Sequence, residues 1–447
     1  MQEPMMQRFL GLDVHKSVVE VCAIDEAGKT LFRRRIDCTR EVLLKFAEEL
    51  TAADVVALEV TTNAWAVADL LEPFVGRVVV SNPLKTKAIV EAKIKTDKVD
   101  AEVLAQLLRC DYLPSVWVPD PTTRVLRQLT SRRERLVSQR TRLKNRIQSV
   151  LAGLLVVVPV KTLFSQAGRQ WLADCDLPAY ERALVESDLR LIEAVDQEID
   201  RLEQQLQQEA WNAPRVRLLM TIPGVDYGTA LTLIAALGDL TRFEDGDRAA
   251  SYLGLTPSVK QSAQTCHYGP ITKRGNTQAR WMLTQSAQNM ARHPGPLGVF
   301  FRRLAKRKCW NVAVCATARK LVTIAWLMLK HNEPYRYASP ATTQQKLSRL
   351  RVAVTGKHRQ AEHKGRRPGV KNGAHPPSRL VPSLGRVCDQ EGLPPAHGFE
   401  QLPAGEQRVL KSLGVIDYVQ QISTDRRTPR QRKLRSVRVP REEAKKS

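Results

Sequence analysis

The eight cysteines of this 447-residue chain, at 22, 38, 110, 175, 266, 309, 315 and 388, form no C-x-x-C pair. They offer neither zinc-finger spacing nor a disulfide framework, and their scatter points to a reducing compartment. No apolar run approaches the length needed to span a bilayer. Residues 1–10 lack the charged-then-apolar order of a secretory signal. These absences argue against a secreted, disulfide-stapled or membrane-bound protein, and we expect a cytoplasmic, nucleoid-associated one with no membrane partner. Aromatic residues are sparse at 5%, and acids are outnumbered: 46 Asp and Glu face 70 Lys and Arg, a formal charge of +24. Such a surplus points to a polyanionic partner, most simply nucleic acid. A merely basic soluble protein is the alternative.

The chain is long enough for two or three domains, each with its own core. Residues 8–14, 18–24 and 30–36 read as three consecutive strands. A helix around 40–51, a strand at 54–60, a helix at 64–73 and a strand at Val78-Val79-Val80 follow. Three strands and then alternation with helices is the order of an α/β, ribonuclease-H-like domain, which we bound at 1–117.

From 121 to 150 nine Arg or Lys face the single acid Glu134, while Leu129, Leu136, Leu143 and Val150 recur every seven residues. A second stripe, Ile192, Val195, Ile199, Leu202 and Leu206, runs through 180–209, whose outer faces are acidic and glutamine-rich. The two predict an α-helical coiled-coil insertion over 118–212; two helices of an ordinary bundle fit the spacing equally. Arg132, Arg133, Arg140 and Lys144 are candidate phosphate contacts. Residues 213–337 read as a mainly α-helical domain, with helices at 246–253, 277–292 and 309–330. The last stretch, 338–447, is basic and dominated by Pro, Gly and clusters such as Lys364-Gly365-Arg366-Arg367-Pro368, with only 404–422 helical in pattern. We read it as a largely irregular tail touching nucleic acid, or as a solvated extension.

Four acids stand out in the first hundred residues. Asp13 lies in the apolar run Phe9-Leu10-Gly11-Leu12-Asp13-Val14, Glu59 ends Val55-Val56-Ala57-Leu58, and Asp97 and Asp100 share one helix face. Carboxylates in apolar strands are costly unless paired or bound to a cation. An all-oxygen set suits Mg2+ or Mn2+, and such ions can orient a phosphodiester. Helix capping alone would also account for the D-x-x-D pair. In 254–276, which reads as a polar loop, Ser262 is flanked by Lys260, Lys273, Arg274 and Arg280. A serine attacking a phosphodiester needs such cations, although Ser251 and Ser258 stand nearby as well.

Gly11-Leu12-Asp13-Val14-His15-Lys16, Ala57-Leu58-Glu59 and Lys95-Thr96-Asp97-Lys98-Val99-Asp100-Ala101 closely resemble the catalytic blocks of the DEDD transposases of the insertion sequence 110 family. Ile222-Pro223-Gly224-Val225, Phe243, residues 250–257, Gln261-Ser262 and 271–276 resemble that family's C-terminal transposase domain. The resemblance implies a RuvC-like domain whose Asp13, Glu59, Asp97 and Asp100 bind magnesium, and Ser262 as a nucleophile forming a transient phosphoserine with DNA. It further implies element and target DNA as substrates, a structured guide RNA, and a homo-oligomer, dimer or tetramer, whose subunits share each active site. In this chain Ala263 stands where the family places glycine, and Asp226 replaces the second glycine of its P-G-V-G turn; residues 222–234 therefore read as structural. The rival readings are a RuvC-like junction resolvase or nuclease that activates water, and a non-catalytic nucleic-acid-binding protein.

Overall fold

The computed structural model describes residues 7–89, 97–262, 265–357 and 379–428. Their contacts divide into two units, Met1–Asp120 and Pro121–Ser447.

The first unit begins with β1 (Phe9–Val14), β2 (Val18–Ile24) and β3 (Thr30–Asp37), joined as antiparallel neighbours. Helix α1 (Arg40–Glu48), N-capped by Thr39, leads to β4 (Val55–Glu59). Then come α2 (Ala64–Leu71), β5 (Arg77–Ser81), α3 (Pro83–Ile89) and α4 (Asp97–Arg109). The sheet order is β3-β2-β1-β4-β5, with β1, β4 and β5 parallel. Alternation divides β1 between two cores. Leu10, Leu12 and Val14 pack with Leu43, Phe46, Val67 and Leu71 of α1 and α2. The opposite face, with Phe9, Cys22, Ile24, Val55 and Ala57, lies against Ala101, Leu104, Ala105 and Leu108 of α4. Strands β1, β2 and β4 are thus covered on both sides, which is why they read as nearly continuous apolar runs.

The second unit opens with α5 (Pro121–Gly153), α6 (Gln166–Asp174) and α7 (Ala179–Asn212). Leu136, Leu143 and Ile147 of α5 pack against Val185, Ile192, Val195 and Ile199 of α7. Ion pairs Arg133–Glu203, Arg140–Asp196 and Arg146–Asp188 run in opposite chain directions along the two helices, so α5 and α7 are antiparallel. The acids that the sequence places on the outside of α7 therefore include the counter-ions of the cationic helix.

A helical core follows: α8 (Pro214–Leu219), α9 (Tyr227–Leu237), α10 (Gly246–Tyr252), the hairpin β6 (Pro257–Ser262) and β7 (Thr265–Ile271), α11 (Thr277–Asn289), α12 (Pro296–Arg307) and α13 (Trp310–His331). Helix α13 corrects the expectation about apolar length, because by length and composition alone it could cross a bilayer. Its apolarity serves the core instead, where Ala313, Ala318, Leu321, Val322 and Ala325 are buried. Asp226 N-caps α9 by accepting from the Thr229 amide, a structural use of the residue that departs from the family's turn.

The tail is more ordered than its composition suggests. Helix α14 (Pro340–Thr355), strand β8 (Arg379–Val381), α15 (Leu384–Gln390), α16 (Ala404–Leu413), α17 (Ile416–Ser423) and strand β9 (Arg426–Thr428) are formed. Leu347, Leu350, Leu384 and Cys388 enter the same core as α9 and α13. The expectation that only 404–422 is helical misses α14, whose Pro340 sits harmlessly in the first turn. The cluster 364–368 lies outside the described residues.

Candidate active site

One close approach builds the acidic site. A methyl group at Gly11 would stand 1.9 Å from the carbonyl oxygen of Ala101 and 2.6 Å from the amide nitrogen of Ala105. Glycine lets α4 lie directly on β1, which brings the first turn of α4, with Asp97 and Asp100, over the end of the strand. Asp13 is the last residue of β1 on this face. Leu12 is in register with Leu58, so Asp13 and Glu59 occupy the next positions at the ends of two parallel strands. The alternation Val55, Ala57, Glu59 turns all three toward the α4 side.

His15, which the sequence pattern alone does not mark as a site residue, joins the cluster. Its Nε2 lies 3.1 Å from Oδ2 of Asp13 and 3.3 Å from Oδ2 of Asp97. Together the three offer ligand atoms within 4.8 Å of one another. The one signal in the sequence is position, two residues past Asp13 where β1 ends. Burial raises the Asp13 carboxyl above its usual range; His15 opposes this, while Asp100 and Asp97 add to it. A half-buried carboxylate crowded by two others is stabilised by a divalent cation, so this oxygen-rich donor set fits such an ion. Asp97 and Asp13 are part of the cluster by direct geometry, Asp100 by its electrostatic effect on Asp13, and Glu59 by strand register.

Ser262 lies in the second unit. The segment expected to be a loop is a two-stranded hairpin, in which Ser262 is the last residue of β6, opposite Thr265. Both strands are exposed from Lys260 to His267 wherever they are described, and Ala263 lies outside the described residues. The hairpin base is pinched by backbone. A methyl group at Gly254 would lie 2.2 Å from the Arg274 carbonyl oxygen, and one at Gly275 would lie 2.0 Å from that of Tyr252. Both glycines have positive φ, as does Lys273 at 55°. Arg280 ties the turn down by donating to the Leu253 and Arg274 carbonyls. Lys273 and Arg274 are exposed beside this base.

The four cations nominated on α5 divide. Arg133 donates to Glu203 and Arg140 to Asp196, so both guanidiniums are engaged within the helix pair. The Lys144 ammonium sits 5.1 Å from the Phe164 ring centre, and Arg132 is exposed.

Residues 10–156 match the DEDD insertion sequence 110 family model described as Transposase. Residues 216–300 match the model described as Transposase IS116/IS110/IS902 family. The chain is 27% identical over 342 residues to the "Transposase for insertion sequence element IS1111A" of Coxiella burnetii, covering 74% of this chain and 91% of that protein. It is 25% identical over 389 residues to the "Insertion element IS116 uncharacterized 44.8 kDa protein" of Streptomyces clavuligerus, covering 75% and 97%. It is also 26% identical over 351 residues to the "Pilin gene-inverting protein" of Moraxella bovis, covering 74% and 98%.

Proposed function

The chain belongs to the insertion sequence 110 family of transposases, and from that premise we propose that it moves its element by divalent-metal-assisted attack of Ser262 on DNA phosphodiesters. The observation that carries the reading is the gathering of Asp13, His15 and Asp97, with Asp100 and Glu59 beside them, at the strand ends beneath α4. Asp13, Glu59, Asp97 and Asp100 would hold Mg2+ or Mn2+. The bound ion supplies neutralisation of phosphate charge and orientation of the scissile group. The carboxylates keep that position anionic and fixed, and His15, lying against Asp13, opposes the rise in its pKa that burial causes.

The Ser262 Oγ would form a bond to phosphorus while the bond from phosphorus to the departing strand oxygen breaks. The seryl proton is released and the departing oxygen gains one. Attack by a strand hydroxyl on the phosphoserine then reseals DNA and restores Ser262. An exposed hairpin tip suits this role, since duplex DNA must reach the hydroxyl. Lys273, Arg274, Arg132 and Lys144 would contact phosphates. The recombinase would assemble as a homo-oligomer and take its target from an element-encoded structured RNA.

Ser262→Ala provides the test, in an assay that joins element ends to target DNA with and without the non-coding RNA flanking the gene. The variant should bind DNA normally, form no denaturation-resistant protein–DNA adduct and join no ends. Wild-type joining by this variant would replace the covalent mechanism with water activation. Joining without the flanking RNA would remove the guide. Asp13→Asn with unchanged turnover would sink the catalytic reading of the acid cluster.

A further inference from the structure

Strand β3 carries Arg33-Arg34-Arg35 at the edge of the sheet, a run that neither the metal site nor the hairpin uses. Register assigns their faces. Arg33 is opposite Cys22 and Arg35 is opposite Glu20, while Glu20 is itself opposite Asp13. Cys22 packs on Ala101 and Ala105, so this is the face beneath α4 that also carries the acid cluster. Asp13, Glu20 and Arg35 therefore form a row across three adjacent strands, each step about 4.8 Å.

The row is unusual in its burial. The Glu20 side chain is 6% exposed, and its ion-pair partner is Arg35, 3.5 Å away and 63% exposed. A buried carboxylate is costly; this one is paired with a guanidinium that is itself mostly exposed. Arg33 is held similarly, by Glu102 of α4 at 2.6 Å. Arg34 points to the opposite face, where it makes two bonds to Glu49. Two anchored arginines at i and i+2 thus stand about 7 Å apart along one edge of the catalytic face.

Resting on the metal-centre reading above, we propose that Arg35, positioned by Glu20 and assisted by Arg33, is a phosphate-binding subsite for the nucleic-acid strand whose scissile group lies at Asp13. The guanidiniums receive phosphates flanking that group on the β3 side. Arg35 contacts the strand, and Glu20 is a positioning residue that acts through it. Pre-anchoring reduces the side-chain freedom lost on binding, which favours a fixed register of the strand over the metal. The competing role is edge protection, in which charged side chains merely keep a second strand from pairing with β3.

The full-length protein, a mixed-sequence DNA duplex and a salt titration in EDTA separate the two roles, since binding is then read without turnover. Arg35→Ala should lower affinity about tenfold and reduce the slope of log K against log salt by about 0.9, the loss of one phosphate contact. Arg35→Lys should restore the slope, and Glu20→Gln should shift affinity in the same direction as Arg35→Ala but less. Arg34→Ala removes the same charge from the other face and should leave the slope unchanged, which controls for net charge. Unchanged slope and affinity in Arg35→Glu, with the protein still monodisperse, would overturn the proposal and leave edge protection alone. An equal loss in Arg34→Ala would overturn it too. Asp13→Asn, assayed for joining with metal present, reports separately on the metal centre. Its retention of activity would remove that centre while leaving the β3 binding result to be read by itself.

Discussion

Gly11 and Ala101 meet backbone to backbone: a methyl group on the glycine would fall 1.9 Å from the alanine carbonyl oxygen. Because α4 carries Asp97 and Asp100 in its first turn, this contact sets the height of two acids above the end of β1. Gly11→Ala must push the helix away or strain both elements. Overpacking of this kind costs about 1–3 kcal/mol, so chemical denaturation should show a loss in that range. DNA joining should fall further than stability explains, since about 1 Å of misplacement can cost about a hundredfold in rate. Wild-type joining in a folded Gly11→Ala protein would mean that α4 does not position the acids.

The cationic helix α5 offers a division of labour that mutation can read. Arg133 donates to Glu203, which also accepts a hydrogen bond from Tyr227, and burial together with this bond pushes the Tyr227 hydroxyl up to about 12. Arg133→Ala should therefore destabilise the α5–α7 pair, by about 1–2 kcal/mol for a charged hydrogen bond that is partly solvated. Arg132→Ala should leave stability within about 0.5 kcal/mol and reduce the salt slope of nucleic-acid binding. Thermal denaturation beside a salt titration checks both, and a reversed pattern would reassign the two arginines.

Lys346 ties the tail into the second unit. Its ammonium, carried on α14, donates to the carbonyls of Ile222 and Val225 at 2.7 and 2.8 Å, holding the turn before α9. Burial lowers its pKa to about 7, with Asp226 partly opposing. A lysine whose folded value lies below its unfolded one penalises the fold fully at pH below about 7. The penalty is relieved as pH rises from about 7 toward the unfolded value of about 10.4. Stability of the wild type should thus climb across that window, and Lys346→Met should flatten the climb in a pH series of denaturation curves. An unaltered slope in the variant would rule out Lys346 as the source.

These residues also show where sequence reading succeeds and stops. Nearly continuous apolar runs located β1, β2 and β4 because each strand is covered on both faces, and the carboxylates within or ending those runs stood out against them. His15 did not stand out, because a histidine just beyond a strand acquires meaning only when α4 brings Asp97 within 3.3 Å. Glu20 was hidden for the same reason, since register rather than spacing sets it opposite Asp13. The heptad stripes located α5 and α7, but the partners of Arg133 and Arg140 lie 70 and 56 residues away along the chain. Helix α14 was masked by the averaged composition of the tail, although Leu347 and Leu350 are core residues.

Metal addition should act on stability as well as on activity. With Mn2+ or Mg2+ at about 100 times its dissociation constant, a site present only in the fold gains about 2.7 kcal/mol. Asp13→Asn should lose most of that gain. In EDTA the same variant should be more stable than the wild type near neutral pH, for a reason whose sign is fixed. The folded pKa of Asp13 is raised, chiefly by burial, so the fold prefers the protonated acid. The wild type therefore begins to lose stability as pH rises past the unfolded value of about 3.9, and the loss is complete above the folded value. The neutral amide introduced by Asp13→Asn has no charge to bury and escapes this loss. His15→Ala removes a neighbour that favours the carboxylate and a potential ligand atom, so its metal-induced rise in Tm should be smaller than that of the wild type. Thermal denaturation across pH, with EDTA or Mn2+, reads all three proteins together. A metal shift that survives intact in Asp13→Asn would place the ion elsewhere and leave the acids beneath α4 without a catalytic role.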